Sequence, residues 1–259
     1  MPSPEHVNVP MLTQIIPGGI SPATIFGVEF DPESQWFAVA TNIAAKCLLQ
    51  NGFVSYLAMA RPRDNVLRDL SALGVNLSEA FKGSHLTVDD WYSATLTGGR
   101  VGTGGGHERA FEPIEGGVRC RSLKVADLSL EWLKDMKLSQ EIYEKEAGPP
   151  GILLLAESCS SQMRFNEEKP YVEWMESRVN PDRRRANSIT FQGFARGVHS
   201  EWVYRRMEAD WDGVIDVRVM DEGGEAKSFL RIRSLKGQPY DGKWHEIQVR
   251  LNGEAILTT

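Results

Sequence analysis

Between Thr24 and Asp89 the chain alternates strand-like runs with segments of helical period, and it repeats the change of period towards its C-terminus. That order implies an α/β fold, a mostly parallel sheet with helices on both faces. Thr24 to Glu29 reads as the first strand. Trp36 to Leu49 sets Phe37, Ala40, Ala44, Cys47 and Leu48 at helical spacing, and Gly52 is the expected stop. Phe53 to Met59 is a second strand, Asp64 to Leu73 an amphipathic helix ended by Gly74, and His85 to Asp89 a return to the sheet. Ile152 to Ala156, five apolar residues in succession, reads as the most buried strand, and helices are expected over Val125 to Met136 and Glu168 to Val179. Ser188 to Phe194, Gly213 to Val219, Lys227 to Arg233 and His245 to Leu251 complete the sheet, the last of them with the period-two alternation of antiparallel pairing.

Composition bounds the partners. With 41% hydrophobic and 25% charged residues, the 259-residue chain can bury one core, expected over residues 16–259 behind a tail of residues 1–15. There are 29 basic and 35 acidic residues, a net charge of −6, so global electrostatics give no pull towards nucleic acid or an anionic membrane. No apolar run approaches the roughly 20 residues of a spanning helix, and Met1 to Met11 lacks the regions of a signal peptide. A cytoplasmic protein is expected, with no membrane partner. Cys47, Cys120 and Cys159 are odd in number and lack ligand spacing, so buried or incidental thiols are expected and no metal.

The first strand-to-helix junction, Ile25 to Phe37, lies where a phosphate loop would. Such a loop reads G-x-x-x-x-G-K-[ST]: glycines admit backbone N–H groups to the phosphates, lysine neutralises them and the hydroxyl holds magnesium. On that frame the four defining positions are Phe30, Gln35, Trp36 and Phe37. Glu29, Asp31 and Glu33 add negative charge where a triphosphate brings its own. Trp36 and Phe37 are bulky enough to fill the space of the phosphates, and Ser34 keeps a hydroxyl there. Tight ATP binding in the usual manner is not expected.

Nearly the whole chain, Ile16 to Leu257, nevertheless resembles the KaiC-like branch of the RecA-type ATPases in the order of its motifs. The carriers are Ile16-Pro17-Gly18-Gly19-Ile20, the strand, loop, helix and strand of Gly27 to Ala58, and Leu70 to Leu77 with its Leu-Gly turn. His85 to Ser93, Leu123 to Leu130, Gly197-Val198-His199 and Ile232 to Asp241 with Trp244 follow. The resemblance implies a RecA-like P-loop NTPase fold with antiparallel C-terminal strands. It also implies three sites. Glu157, at the end of the apolar strand, takes the place of an aspartate that organises magnesium. Ala60 and Arg61 take the places of a glutamate pair, one of which is the general base; neither can accept a proton at neutral pH. Arg233-Ser234-Leu235-Lys236-Gly237 matches a basic stretch that reaches a neighbouring subunit's phosphates in family rings, with Arg233 and Lys236 retained.

Four further features carry weaker signals. Gly98 to Gly106 lacks a feeding strand and a Lys-[ST] exit and reads as a loop. Arg183, Arg184 and Arg185 form the basic cluster, without the interleaved aromatics of a single-strand binder. His199 reads as a satisfied strand-end histidine, and Asp89 with Asp90 as a solvated strand exit. The expectation is a catalytically degenerate KaiC/RecA-like protein that regulates or scaffolds. Its partners would be proteins, as a homo-oligomer or beside a KaiC-like paralogue in signalling, motility or DNA-maintenance assemblies, with no cofactor. The alternatives are a nucleotide-binding ATPase with a rearranged loop using ATP and magnesium through Ser34 and Glu157, and a DNA-binding recombinase paralogue using Arg183 to Arg185.

Overall fold

In the computed structural model, residues 6–9, 11–83, 85–92, 118–120 and 152–258 are described, by backbone alone at 118–120 and 152. The expected loop Gly98 to Gly106 and helix Val125 to Met136 lie outside them. The sequence alternation resolves into β1 (Ile25–Phe30), α1 (Trp36–Leu49), β2 (Phe53–Ala58), α2 (Arg63–Ala72), α3 (Leu77–Lys82), β3 (Leu86–Asp90) and β4 (Val118–Cys120). Then come β5 (Ile152–Ala156), α4 (Cys159–Met163), α5 (Glu168–Trp174), a π-helical turn (Met175–Val179), α6 (Asn180–Arg185), β6 (Ile189–Ala195) and α7 (Glu201–Asp210). The chain closes with β7 (Gly213–Glu222), β8 (Glu225–Leu235), β9 (His245–Val249) and β10 (Ala255–Thr258).

All ten described strands join one sheet in the order β10-β9-β8-β7-β1-β6-β5-β2-β3-β4. Pairing is parallel from β4 through to β7. It is antiparallel for β8, β9 and β10. A tight Gly223-Gly224 turn, both residues at positive φ, returns β7 into β8. The parallel strands are buried on both faces, so they read as apolar runs rather than alternating ones. Phe26, Val28 and Phe30 of β1 join Tyr56, Phe191 and α1 in one core. Ile25, Leu154, Phe194 and Trp211 join α4, α5 and α7 in the other.

Several boundaries move for physical reasons. The left-handed residue after α1 is Asn51, at φ 60°, and Gly52 serves instead as a close contact, since a Cβ there would strike Cys47 Sγ. Gly74 does supply the left-handed step after α2, at φ 91°. The helix expected to end at Val179 runs on to Arg185. Pro181 cannot donate back along the helix, and the ladder widens into a π turn just before it. Residues 7–9 and 11–15, expected to precede the domain, pack on it: Val7 bridges Ile20, and Leu12 and Ile15 are fully buried. α7 and β10 have no counterpart in the sequence expectation; α7 is a polar helix with only Val203 and Met207 buried, too narrow a stripe to stand out.

Gly27 lies directly beneath the fully buried Trp211 ring, so an alanine Cβ would overlap the indole. Gly27→Ala should therefore destabilise the protein by about 1–3 kcal/mol, seen as a lower denaturant midpoint at unchanged m-value.

Candidate functional site

α1 carries the chain from β1 to β2 on one side of the sheet, whereas α7 carries it from β6 to β7 on the other. The adjacent ends of β1 and β6 therefore flank a topological switch point, where α/β sheets bind ligands. The carboxyl ends of β1, β6, β5 and β2 bring together residues 31–37, residues 196–200, Glu157, and Met59 to Arg61.

The loop leaving β1 is occupied by its own contacts. Asp31 N–H donates to the Val217 carbonyl (2.9 Å), Ser34 N–H to the Asp31 carbonyl (2.9 Å) and Gln35 N–H to Ser228 Oγ (3.1 Å). Pro32 has no N–H, so three of the four amides of residues 31–35 are committed. The Asp31 carboxylate accepts from Val219 N–H at 2.9 Å and lies 3.5 Å from Arg196. Glu33 and Gln35 are exposed, while Ser34 is buried and its hydroxyl has no partner among the described residues.

Aromatic rings fill the helix entry. Trp36 is fully buried and its indole Nε1 donates to the Glu157 carbonyl at 2.8 Å. Phe30 lies against it with ring centres 6.2 Å apart, and half-buried Phe37 meets Phe30 edge-on at 5.5 Å. Gly193 of β6 makes room, because any Cβ there would clash with the Glu157 carbonyl and come within 2.9 Å of the Trp36 indole nitrogen.

Glu157 has no exposure, and its carboxylate takes four donors. Oε1 accepts from the Met59 and Ala60 N–H groups at 3.0 and 3.1 Å. Oε2 accepts from the Tyr56 hydroxyl at 2.7 Å and Arg61 Nε at 3.0 Å. Arg61 in turn donates to Asp69 (2.7 Å), to the Tyr56 hydroxyl (2.9 Å) and to Thr41 Oγ1, with its guanidinium 5.7 Å from the Phe37 ring centre. Burial first, and then the Glu157 charge, push the Tyr56 phenol up, so it remains a donor. The two positions that the resemblance gives to a glutamate pair, Ala60 and Arg61, thus both face Glu157, one with an amide and one with a cation. A charge buried to this degree requires such partners. Tyr56, Thr41 and Asp69 were not singled out from the sequence. The available signal was a tyrosine in the apolar run Phe53 to Ala58, which needs a hydroxyl partner once buried.

The remaining residues lie apart or are engaged. Arg233 is ion-paired with Glu29 (2.6 Å) and Glu208 (2.7 Å), and Lys236 donates to the Ala209 carbonyl at the end of α7 (3.3 Å). Arg183 to Arg185 close α6 at the amino end of β6, away from the switch point; Arg184 is held by Asp210 and Asp212, and Arg185 by Asp182. His199 stands 3.6 Å from Glu168, whose carboxylate also takes the Ser200 amide and hydroxyl. Its Nε2 is buried without a partner among the described residues, and burial lowers its pKa. Asp89 and Asp90 are buried rather than solvated. Among the described residues no group of three or more His, Cys, Asp or Glu side chains could hold a metal ion, and no helix is long and apolar enough to cross a membrane. Cys47 and Cys159 are free thiols pushed up by burial to about 11 and about 12.

No family model and no curated protein matches the sequence. Solved structures match its fold. The KaiC-like protein PH0186 from the hyperthermophilic archaeon Pyrococcus horikoshii superposes with a TM-score of 0.67 at 11% identity, over 98% of each chain. Protein PH0321 of Pyrococcus horikoshii, solved in complex with an unknown peptide, gives 0.71 at 16% identity over 93% of each chain. The described residues therefore share the fold of the KaiC-like protein PH0186.

Removing one partner of the buried pair leaves the other uncompensated. Arg61→Ala should destabilise the fold by about 3–5 kcal/mol. The double variant Arg61→Met/Glu157→Gln should regain much of that loss, and a double-mutant cycle by chemical denaturation measures the coupling.

Proposed function

We propose that this protein is a RecA-type domain that does not turn over ATP and works by binding other proteins, as a regulator or scaffold. One observation carries the reading: the Arg61 guanidinium sits on Glu157, where a hydrated magnesium would need a free carboxylate. A fixed cation there opposes a second one, and neither Ala60 nor Arg61 can take a proton from water. The committed amides of residues 31–35 and the buried Trp36 indole support the same conclusion, because a phosphate cradle needs free N–H groups and open space. That a protein of the same fold was solved with a peptide bound supports a protein-binding role. Partners would be further copies of this chain or a KaiC-like paralogue.

Calorimetric titration of the full chain with ATP and magnesium should give no saturable heat. Micromolar binding would overturn the reading. The buried, unpartnered Ser34 hydroxyl favours one alternative, a nucleotide held by a rearranged loop. On that reading the titration is saturable and Ser34→Ala weakens it.

A further inference from the structure

In the core on the face of the sheet away from Trp36, between β2 and β5 and the helices α4 to α6, lies a cavity of about 30 Å³. Its lining includes Leu154 of β5, Met59 beyond β2, Cys159 and Gln162 of α4, Tyr171 of α5 and Met175 of the π turn. No carboxylate lines it among the described residues. The π turn that supplies Met175 is a break in helical regularity of a kind that recurs at functional sites.

One donor in this apolar lining is unanswered. Gln162 is 3% exposed, and the Tyr171 hydroxyl donates to its Oε1 at 2.7 Å. Burial pushes the Tyr171 phenol well up, so it stays protonated and remains a donor. That bond commits the oxygen of the amide and leaves its NH2 group for the cavity, where Gln162 Nε2 has no partner among the described residues. A buried N–H is costly until an acceptor reaches it. Water is a poor answer. The space holds about two water molecules, but an ordered water needs roughly two to four polar partners. Gln192, the other amide of the lining, spends its two ends on Asn180 (2.6 Å) and Trp211 (2.8 Å).

We propose that this cavity binds a small uncharged carbonyl compound, its oxygen accepting from Gln162 Nε2 and its alkyl groups packed against Leu154, Met59 and Met175. An apolar body suits the lining, and a single acceptor matches the single amide. The two methionines are unbranched and flexible, so they adjust to the outline of the ligand. Burial pushes the Cys159 thiol up to about 12, so it stays protonated and leaves the carbonyl carbon unattacked. The site is independent of whether nucleotide or a protein partner binds elsewhere.

Acetone is the probe, titrated into the full chain labelled with carbon-13 in the methionine methyls and nitrogen-15 in the glutamine amides. The Met59 and Met175 methyl signals should shift saturably, and the Gln162 side-chain NH2 should move downfield along the same binding curve. Gln162→Leu keeps the bulk and removes the donor. It should weaken acetone binding by about tenfold, while xenon, which needs no donor, still perturbs both methyls. Methyl signals that only drift in proportion to acetone, or a Gln162 amide that stays still while they move, would refute the site. Equal acetone affinity in the wild type and Gln162→Leu would do the same. If Gln162→Leu does not fold, the wild-type amide shift decides alone.

Discussion

A carboxylate with no access to water has to be answered by donors, and Glu157 is answered four times over from β2 and the turn that follows it. The end of β2 gives two amides, its interior gives Tyr56, and the turn that follows gives Arg61. Arg61 then reaches Asp69 on α2 and Thr41 on α1. The carboxyl ends of β2 and β5 and the helices above them are joined through one ion. In a sheet whose strands are covered on both faces, the ends of the strands are where polar groups can be placed. Here that place is filled by a closed network.

The same economy governs the other face. Trp211 lies over Gly27 and donates to Gln192 at 2.8 Å, so the central strand is pinned by an indole whose polar atom is also satisfied. Beyond it the guanidiniums of β7 and β8 meet the acids of β1 and α7. Each face of the sheet thus carries an ion network, Arg61 with Glu157 at the ends of β2 and β5 on the α1 side and Arg233 with Glu29 on the α7 side. Side-chain charge of opposite sign has been brought inside at each, and the loop of residues 31–35 between them is tied to β7 and β8 through backbone and hydroxyl contacts.

The architecture was legible because parallel strands covered on both faces leave apolar runs such as Ile152 to Ala156, and because period-two alternation marks the antiparallel strands near the end. Boundaries were less so. Gly52 looked like a helix stop on composition, yet Asn51 takes the left-handed step, a choice set by the contact with Cys47. At the site, the sequence showed which residues stand at the first strand-to-helix junction and, through the resemblance, directed attention to Arg61 and Glu157. It did not show that these two meet, since they are 96 residues apart and the pairing depends on β2 lying beside β5. Arg233 and Arg184 read as free basic residues for the same reason: their acids, Glu29, Glu208, Asp210 and Asp212, come from distant segments.

The Trp36 indole bears on how this sheet could be re-engineered. Its ring occupies the start of α1, its nitrogen holds the backbone of β5, and β6 has narrowed to glycine at residue 193 to admit it. A lysine placed there alone would leave a hollow, an unanswered carbonyl and a second cation beside Arg61. Any route from this molecule to one that grips a polyphosphate must change helix entry, strand end and arginine together, so single-step selection for that property starts from a deep local optimum.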